Sequence, residues 1–156
     1  MHPNAALIQR FYTCFQKRDA AGMAACYHPQ VQISDPAFPD LRGPQAAAMW
    51  AMLAERGKDL QLEFRDVRAD DRGGSAHWEA RYTFTKTGRK VHNVIDASFE
   101  FRDGLIVKHT DRFDFARWAS QALGPMGMLL GRTGWLQKKV QVTAAQGLAE
   151  YSAKKR

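Results

Sequence analysis

Apolar positions along the N-terminal stretch repeat at the spacing of one helix face. Leu7, Ile8, Phe11, Tyr12 and Phe15 form the stripe, and Asn4 stands where a cap is needed. Asp19 can cap a second, shorter helix holding Met23, Cys26 and Tyr27, which His28-Pro29 should stop. The segment "VQISD" (31–35) then alternates as a strand, with Val31 and Ile33 on one face. Pro36 cannot donate a ladder hydrogen bond and should end that strand directly after Asp35. Gly43-Pro44 opens a third helix, because proline suits the first helical position. Met49, Trp50 and Leu53 make its apolar side, and Gly57 closes it.

Beyond Gly57 the period changes from 3.6 to 2. Leu60, Leu62 and Phe64 alternate, "DDRGG" (70–74) turns, and Ala76, Trp78, Ala80, Tyr82 and Phe84 alternate over a long strand. "KTGR" (86–89) is a hairpin connection, residues 91–102 form the next strand, and Asp103-Gly104 is the strongest hairpin signal in the chain. Leu105, Val107, His109, Asp111 and Phe113 share one face of the last strand. A helix over 114–122, a Gly-rich loop "LGPMGMLLGRTG" and a final amphipathic helix from near Trp135 complete the chain. Leu136, Val140, Ala144, Leu148 and Tyr151 lie roughly on one side of that helix. Helices followed by a curled antiparallel sheet predict an α+β domain, with the sheet wrapped as a cone over the N-terminal helices. Such a cone is either filled by side chains or open as a pocket. The expected division is a domain over 1–122 and an extension over 123–156, packed on the same domain.

Composition narrows the picture. A chain of 156 residues with 45% hydrophobic and 25% charged content is ordinary for one globular core. The net charge of +7 is concentrated at one end: residues 132–156 hold six Lys/Arg against Glu150 alone. Basicity of that kind belongs to the extension, so a nucleic-acid partner is not expected. No segment approaches the roughly 18 apolar residues of a membrane helix, the N-terminus lacks the pattern of a secretory signal, and no membrane partner is expected. Cys14 and Cys26 match no metal or disulfide spacing, and a reducing cytoplasm is the expected setting.

Candidate chemistry lies in acids that interrupt apolar patterns. On the last strand His109 and Asp111 occupy positions that alternation assigns to the apolar face. A buried carboxylate needs partners, which a pocket can supply as water, ligand or a neighbouring base. The alternative is a core pair satisfied by the protein itself. Asp35 is either a turn-former or a base at the rim of the cone. Asp96, in "HNVIDASFEF", would be a hydrogen-bond donor if buried and protonated. Strict alternation, however, puts it opposite Phe99 and Phe101 unless a bulge shifts the register. His77 and Arg81 fall opposite Trp78 and Tyr82, facing solvent or an interface.

The stretches "LIQRFYTCFQKRDAAGMAACYHPQVQISDP" and "FEFRDGLIVKHTDRFD" resemble the nuclear transport factor 2-like superfamily. The likeness is closest to its SnoaL-like branch, related to ketosteroid isomerases, polyketide cyclases and limonene-epoxide hydrolases, and spans residues 5–118. The resemblance implies that the "SDP" aspartate, Asp35, stands at the general-base position. It also implies that the "VID" aspartate, Asp96, stands at the neutral oxyanion donor and that His109-x-Asp111 resembles the cyclase acid/base site. Phe11 occupies the place where the isomerases have an oxyanion-hole tyrosine, so efficient steroid isomerisation is not expected.

The expected function is therefore acid/base isomerase, cyclase or hydrolase chemistry on an apolar small molecule bearing a carbonyl or epoxide. Asp35, Asp96, His109 and Asp111 would carry it, within walls made by Phe11, Tyr12, Phe15, Trp50, Leu53, Trp78, Tyr82, Phe99, Phe113 and Trp118. No metal, nucleotide or flavin is implied, since no phosphate loop or ligand cluster is present. A non-catalytic hydrophobic-ligand-binding or dimerisation domain of the same fold is the alternative, and a homodimer through the sheet face is the expected assembly.

Overall fold

A computed structural model describes residues 1–155. Three helices come first: α1 (Pro3–Gln16), α2 (Ala20–Ala25) and, after strands β1 (Tyr27–Ser34) and β2 (Leu41–Arg42), α3 (Pro44–Arg56). The long strands β3 (Gln61–Ala69), β4 (Gly73–Phe84), β5 (Arg89–Arg102) and β6 (Leu105–Arg112) follow. Helices α4 (Phe115–Leu123), α5 (Pro125–Leu130) and α6 (Gly134–Lys154) close the chain. The six strands form one open, curved sheet in the order β2-β1-β6-β5-β4-β3. All neighbours are antiparallel except β1 and β6, which run parallel. No helix among the described residues is long and apolar enough to cross a membrane.

Local chemistry explains most boundaries. The Asp19 carboxylate accepts from the Gly22 N–H and starts α2; Pro44 opens α3 and Gly57 ends it. Asp103 and Gly104 both have positive φ, +55° and +74°, as the tight β5–β6 hairpin requires. At α1 the cap is His2, whose Nδ1 accepts from the Asn4 N–H at 3.0 Å, and not Asn4 itself. The Asn4 amide instead donates to the Asp70 carbonyl, tying α1 to the β3–β4 turn.

His28-Pro29 does not separate a helix from a strand. Tyr27, His28 and Pro29 already belong to β1, where the pairing with β6 is irregular between Tyr27 and Gln32, so the missing proline N–H is tolerated. The Gly-rich stretch after α4, expected as a loop, contains the short helix α5.

Alternation in β5 is unbroken: Val91, Asn93, Ile95, Ala97 and Phe99 are all buried. The β5–β6 pairing does shift register, but only between Glu100 and Phe101, beyond Asp96. Opposite Phe99 and Ala97 stand His109 and Asp111, so both enter the concave side. On that side α1 buries Ile8, Phe11, Tyr12 and Phe15 against Trp50, Trp78 and Phe99. Val91, Phe115, Trp118 and Leu136 form a second cluster under α4 and α6. The inward side of α6 is the one its pattern predicts, with Leu136 and Leu148 buried and Val140, Ala144 and Tyr151 half-buried.

Candidate active site

The cone is open. Between the sheet and helices α3, α4 and α6 lies a cavity of about 390 Å³ with walls that are mainly apolar. Of the predicted walls, Phe15, Trp50, Leu53, Trp78, Tyr82, Phe113 and Trp118 line it. Phe11, Tyr12 and Phe99 do not; they are packed behind it, where α1 meets the sheet. Tyr12 stacks on Phe64 at 5.4 Å between ring centroids, which turns its side chain away from the cavity. Its hydroxyl is buried without a partner.

A line of hydrogen bonds runs through the core to the cavity wall. The Trp50 indole N–H donates to the Tyr27 hydroxyl at 2.7 Å, and that hydroxyl lies 2.8 Å from His109 Nδ1. On the other side of the ring, His109 Nε2 lies 3.0 Å from Asp111 Oδ1, which also accepts from the Trp78 indole at 3.2 Å. One assignment satisfies every atom: Tyr27 donates to Nδ1, and Nε2–H donates to the carboxylate. His109 does not touch the cavity, whereas Asp111 does. His109 is thus a buried link that fixes Asp111, and both it and Trp78 hold the same oxygen, Oδ1.

Asp35 reaches the same cavity from the end of β1. Its Oδ1 accepts from the Ala37 and Phe38 N–H groups at 2.7 and 2.6 Å, closing a turn around Pro36. Burial pushes its pKa up to about 6; the Phe38 N–H opposes the shift, and the charge of Asp111 adds to it. The two carboxylates therefore feel each other across one space.

Two further polar groups share it: Asn93, which the sequence reading missed, and Tyr82, which it named only as a wall. Asn93 is only 8% exposed and lines the cavity. Tyr82 accepts from the Trp118 indole at 2.9 Å, leaving its own proton free; burial and the Asp35 charge raise its pKa. The signal for Asn93 was present: it shares inward parity with Val91 and Ile95, where an amide has no reason to be buried without a partner. Tyr27 could not be found this way, because it had been assigned to a helix.

Asp96 must be corrected. Its side chain is 79% exposed on the convex face and lies 2.9 Å from His77 Nδ1. The bulge that could have turned it inward falls elsewhere in β5. Around it, Glu79 is held down to about 2 by His77 and His92, and His77 is raised chiefly by its bond to Asp96. Arg81 is also exposed, so no arginine joins the cavity carboxylates from this strand.

A family model described as "SnoaL-like domain" matches residues 8–109. Among solved structures, an epoxide hydrolase of the LEH-like type from M. tuberculosis superposes with a TM-score of 0.65 at 17% identity, covering 82% of this chain and 93% of its own. A protein assigned as a polyketide cyclase from Xanthomonas campestris pv. campestris gives 0.64 at 22% identity, covering 76% and 96%. An NTF2-like protein of unknown function from Burkholderia pseudomallei gives 0.63 at 19%, covering 73% and 92%. Likenesses at this identity establish the fold. No curated protein matches the chain.

Proposed function

The chain belongs to the SnoaL-like domain family, and from that premise we propose that it is an acid/base enzyme acting on an apolar small molecule with a carbonyl or epoxide oxygen. One observation supports the reading above all: Asp35, Asp111 and the amide of Asn93 share the wall of a mainly apolar cavity. Apolar walls select the ligand body, and the few polar groups fix its orientation. Asp35 is the proton acceptor, since a carboxyl near 6 is largely ionised at neutral pH yet basic enough to take a proton.

For a ketone, Asp35 removes the proton from the carbon beside the carbonyl, and the electron pair moves onto the oxygen. The Asn93 N–H groups donate to that oxygen as its charge grows. Asp35 then returns the proton to another carbon of the conjugated system, which gives an isomer. Asp111 Oδ2 accepts from a substrate hydroxyl or a water, with its orientation set by Trp78 and His109. For an epoxide, Asp111 takes a proton from an attacking water as its oxygen bonds to a ring carbon, the ring C–O bond breaks, and Asp35 in its protonated form gives its proton to the ring oxygen, leaving a diol.

A panel of aromatic and polycyclic ketones and epoxides, followed by absorbance or chiral chromatography, tests the reading. Turnover of one member that Asp35→Asn abolishes, in a protein still folded, supports it. Binding of the panel without turnover in wild type favours a ligand-binding domain, in which Asp35 serves only to close the turn at Ala37 and Phe38.

A further inference from the structure

Short surface helices normally turn large apolar side chains inward and small ones to water. In α5 the arrangement is inverted. Its one buried residue is Gly127, and a Cβ there would collide with the Ala119 carbonyl, so α5 lies backbone to backbone on α4. Of its four large side chains only Leu130 packs inward, against the second cluster: Met128 is 73% exposed and Leu129 81%, with Met126 half-exposed beside them. Trp135, in the first turn of α6, is 59% exposed, whereas Trp50, Trp78 and Trp118 are all buried.

The charge around this apolar tip has one sign. From Leu123 to Ala149 the chain contains no Asp or Glu, but it contains Arg132, Lys138 and Lys139. Lys139 Nζ lies 5.0 Å from the Trp135 ring centroid, and Lys139 also lines the cavity together with Arg56, Lys86 and Met126. Arg56, Lys86 and Lys139, dispersed along the sequence, are thus brought to one cavity by the fold. The expectation of no membrane partner rested on the lack of a spanning segment, which does not bear on docking at a surface.

We propose that α5 and the first turn of α6 seat on an anionic lipid surface. Met128, Leu129 and Trp135 enter the boundary between headgroups and acyl chains, while Arg132, Lys138 and Lys139 meet lipid phosphates. A second copy of the chain is a poorer occupant, because a twofold contact would bring the same cations face to face with no acid between them. Met126 and Lys139 belong to both the tip and the cavity wall, so docking sets the cavity beside the bilayer. An apolar ligand then reaches it from lipid without crossing water. The inference does not depend on catalysis.

The test uses the full chain with vesicles of phosphatidylcholine, with and without phosphatidylglycerol, read by co-sedimentation and by tryptophan emission. Trp135 is the exposed tryptophan, so its insertion shifts emission to shorter wavelength. The expected result is sedimentation and a blue shift with the anionic vesicles only, weakened by salt. Leu129→Glu should abolish both, and Arg132→Ala or Lys138→Ala should each weaken binding about fivefold, the equivalent of about 1 kcal/mol per basic residue. These residues are exposed, so unchanged circular dichroism separates lost docking from lost fold. Wild type that stays in the supernatant with anionic vesicles at low salt overturns the proposal, as does binding unaffected by Leu129→Glu. A blue shift that follows protein concentration without vesicles also overturns it, and assigns the tip to a second copy.

Discussion

The two faces of one sheet hold the same pair of side chains at almost the same distance. On the concave face His109 lies 3.0 Å from Asp111, and on the convex face His77 lies 2.9 Å from Asp96. The bond lengths do not distinguish them; their surroundings do. The inner pair is buried, with side chains 1% and 5% exposed, His109 tied to the Tyr27 phenol and Asp111 to the Trp78 indole. In the outer pair the Asp96 side chain is 79% exposed, so water can replace its partner. A hydrogen bond gains little by forming in water, but costs much when burial leaves one partner behind.

That contrast is sharpest in turnover. Once a substrate is found, Asp35→Asn should lower kcat by roughly 10²–10⁴-fold, the usual share of a general base. Asp96→Asn should leave kcat within about twofold. Equal losses in the two variants would end the assignment of chemistry to the concave face.

Stability should separate the faces next. Asp111→Leu leaves the Trp78 indole and His109 Nε2 without their acceptor, and should cost about 3 kcal/mol or more in urea unfolding. Tyr27→Phe, which removes the link between Trp50 and His109, should cost about 1–3 kcal/mol. Asp96→Ala should cost under about 1 kcal/mol and less still in high salt.

Opposite pH slopes give a further test. Asp35 has a folded pKa of about 6 against an ordinary 3.8. Between these values the folded state holds the extra proton, so stability from this group falls as pH rises from about 4 to about 6. Asp35→Asn keeps the turn acceptor and should stabilise the protein above pH 6 by on the order of 2 kcal/mol, with little change near pH 4. Glu79 runs the other way. Its folded pKa, held to about 2 below an ordinary 4.5 by His77 and His92, gives stability that is present above about 4.5 and lost as pH falls toward 2. Glu79→Gln should flatten that acid limb, measured as the denaturation midpoint against pH, without changing the slope that Asp35 imposes.

Much of this contrast was legible in the sequence. The outward parity of Asp96 follows from Phe99 and Phe101 and holds in the sheet. The face shared by Leu105, Val107, His109 and Asp111 does not hold: Ile106 is the buried residue at the start of β6, and the register shift beside Phe101 brings His109 and Asp111 to the inward side instead. The family likeness pulled Asp96 toward the site, and strict alternation was the better guide. Asn93 could have been noticed by the same parity. Tyr27 was lost because a strand that begins with an irregular pairing at His28-Pro29 has no periodic signal to mark it.

The chain by itself determined the order of the main helices and long strands, the hairpin at Asp103-Gly104, the end of β1 just before Asp35 and the outward side of Asp96. These depend on φ preferences, proline's missing donor and the two-residue period of a strand, all of which act between near neighbours. Only the tertiary structure decided that Asp35, Asn93 and Asp111, far apart in the chain, share one cavity. It alone decided that Phe11, Tyr12 and Phe99 stand behind that cavity, and that α5 shows most of its large side chains to solvent. The reason is sheet curvature and close contact: how far the cone opens, and which side chains fill it, depends on segments meeting across the whole fold, which no local pattern records.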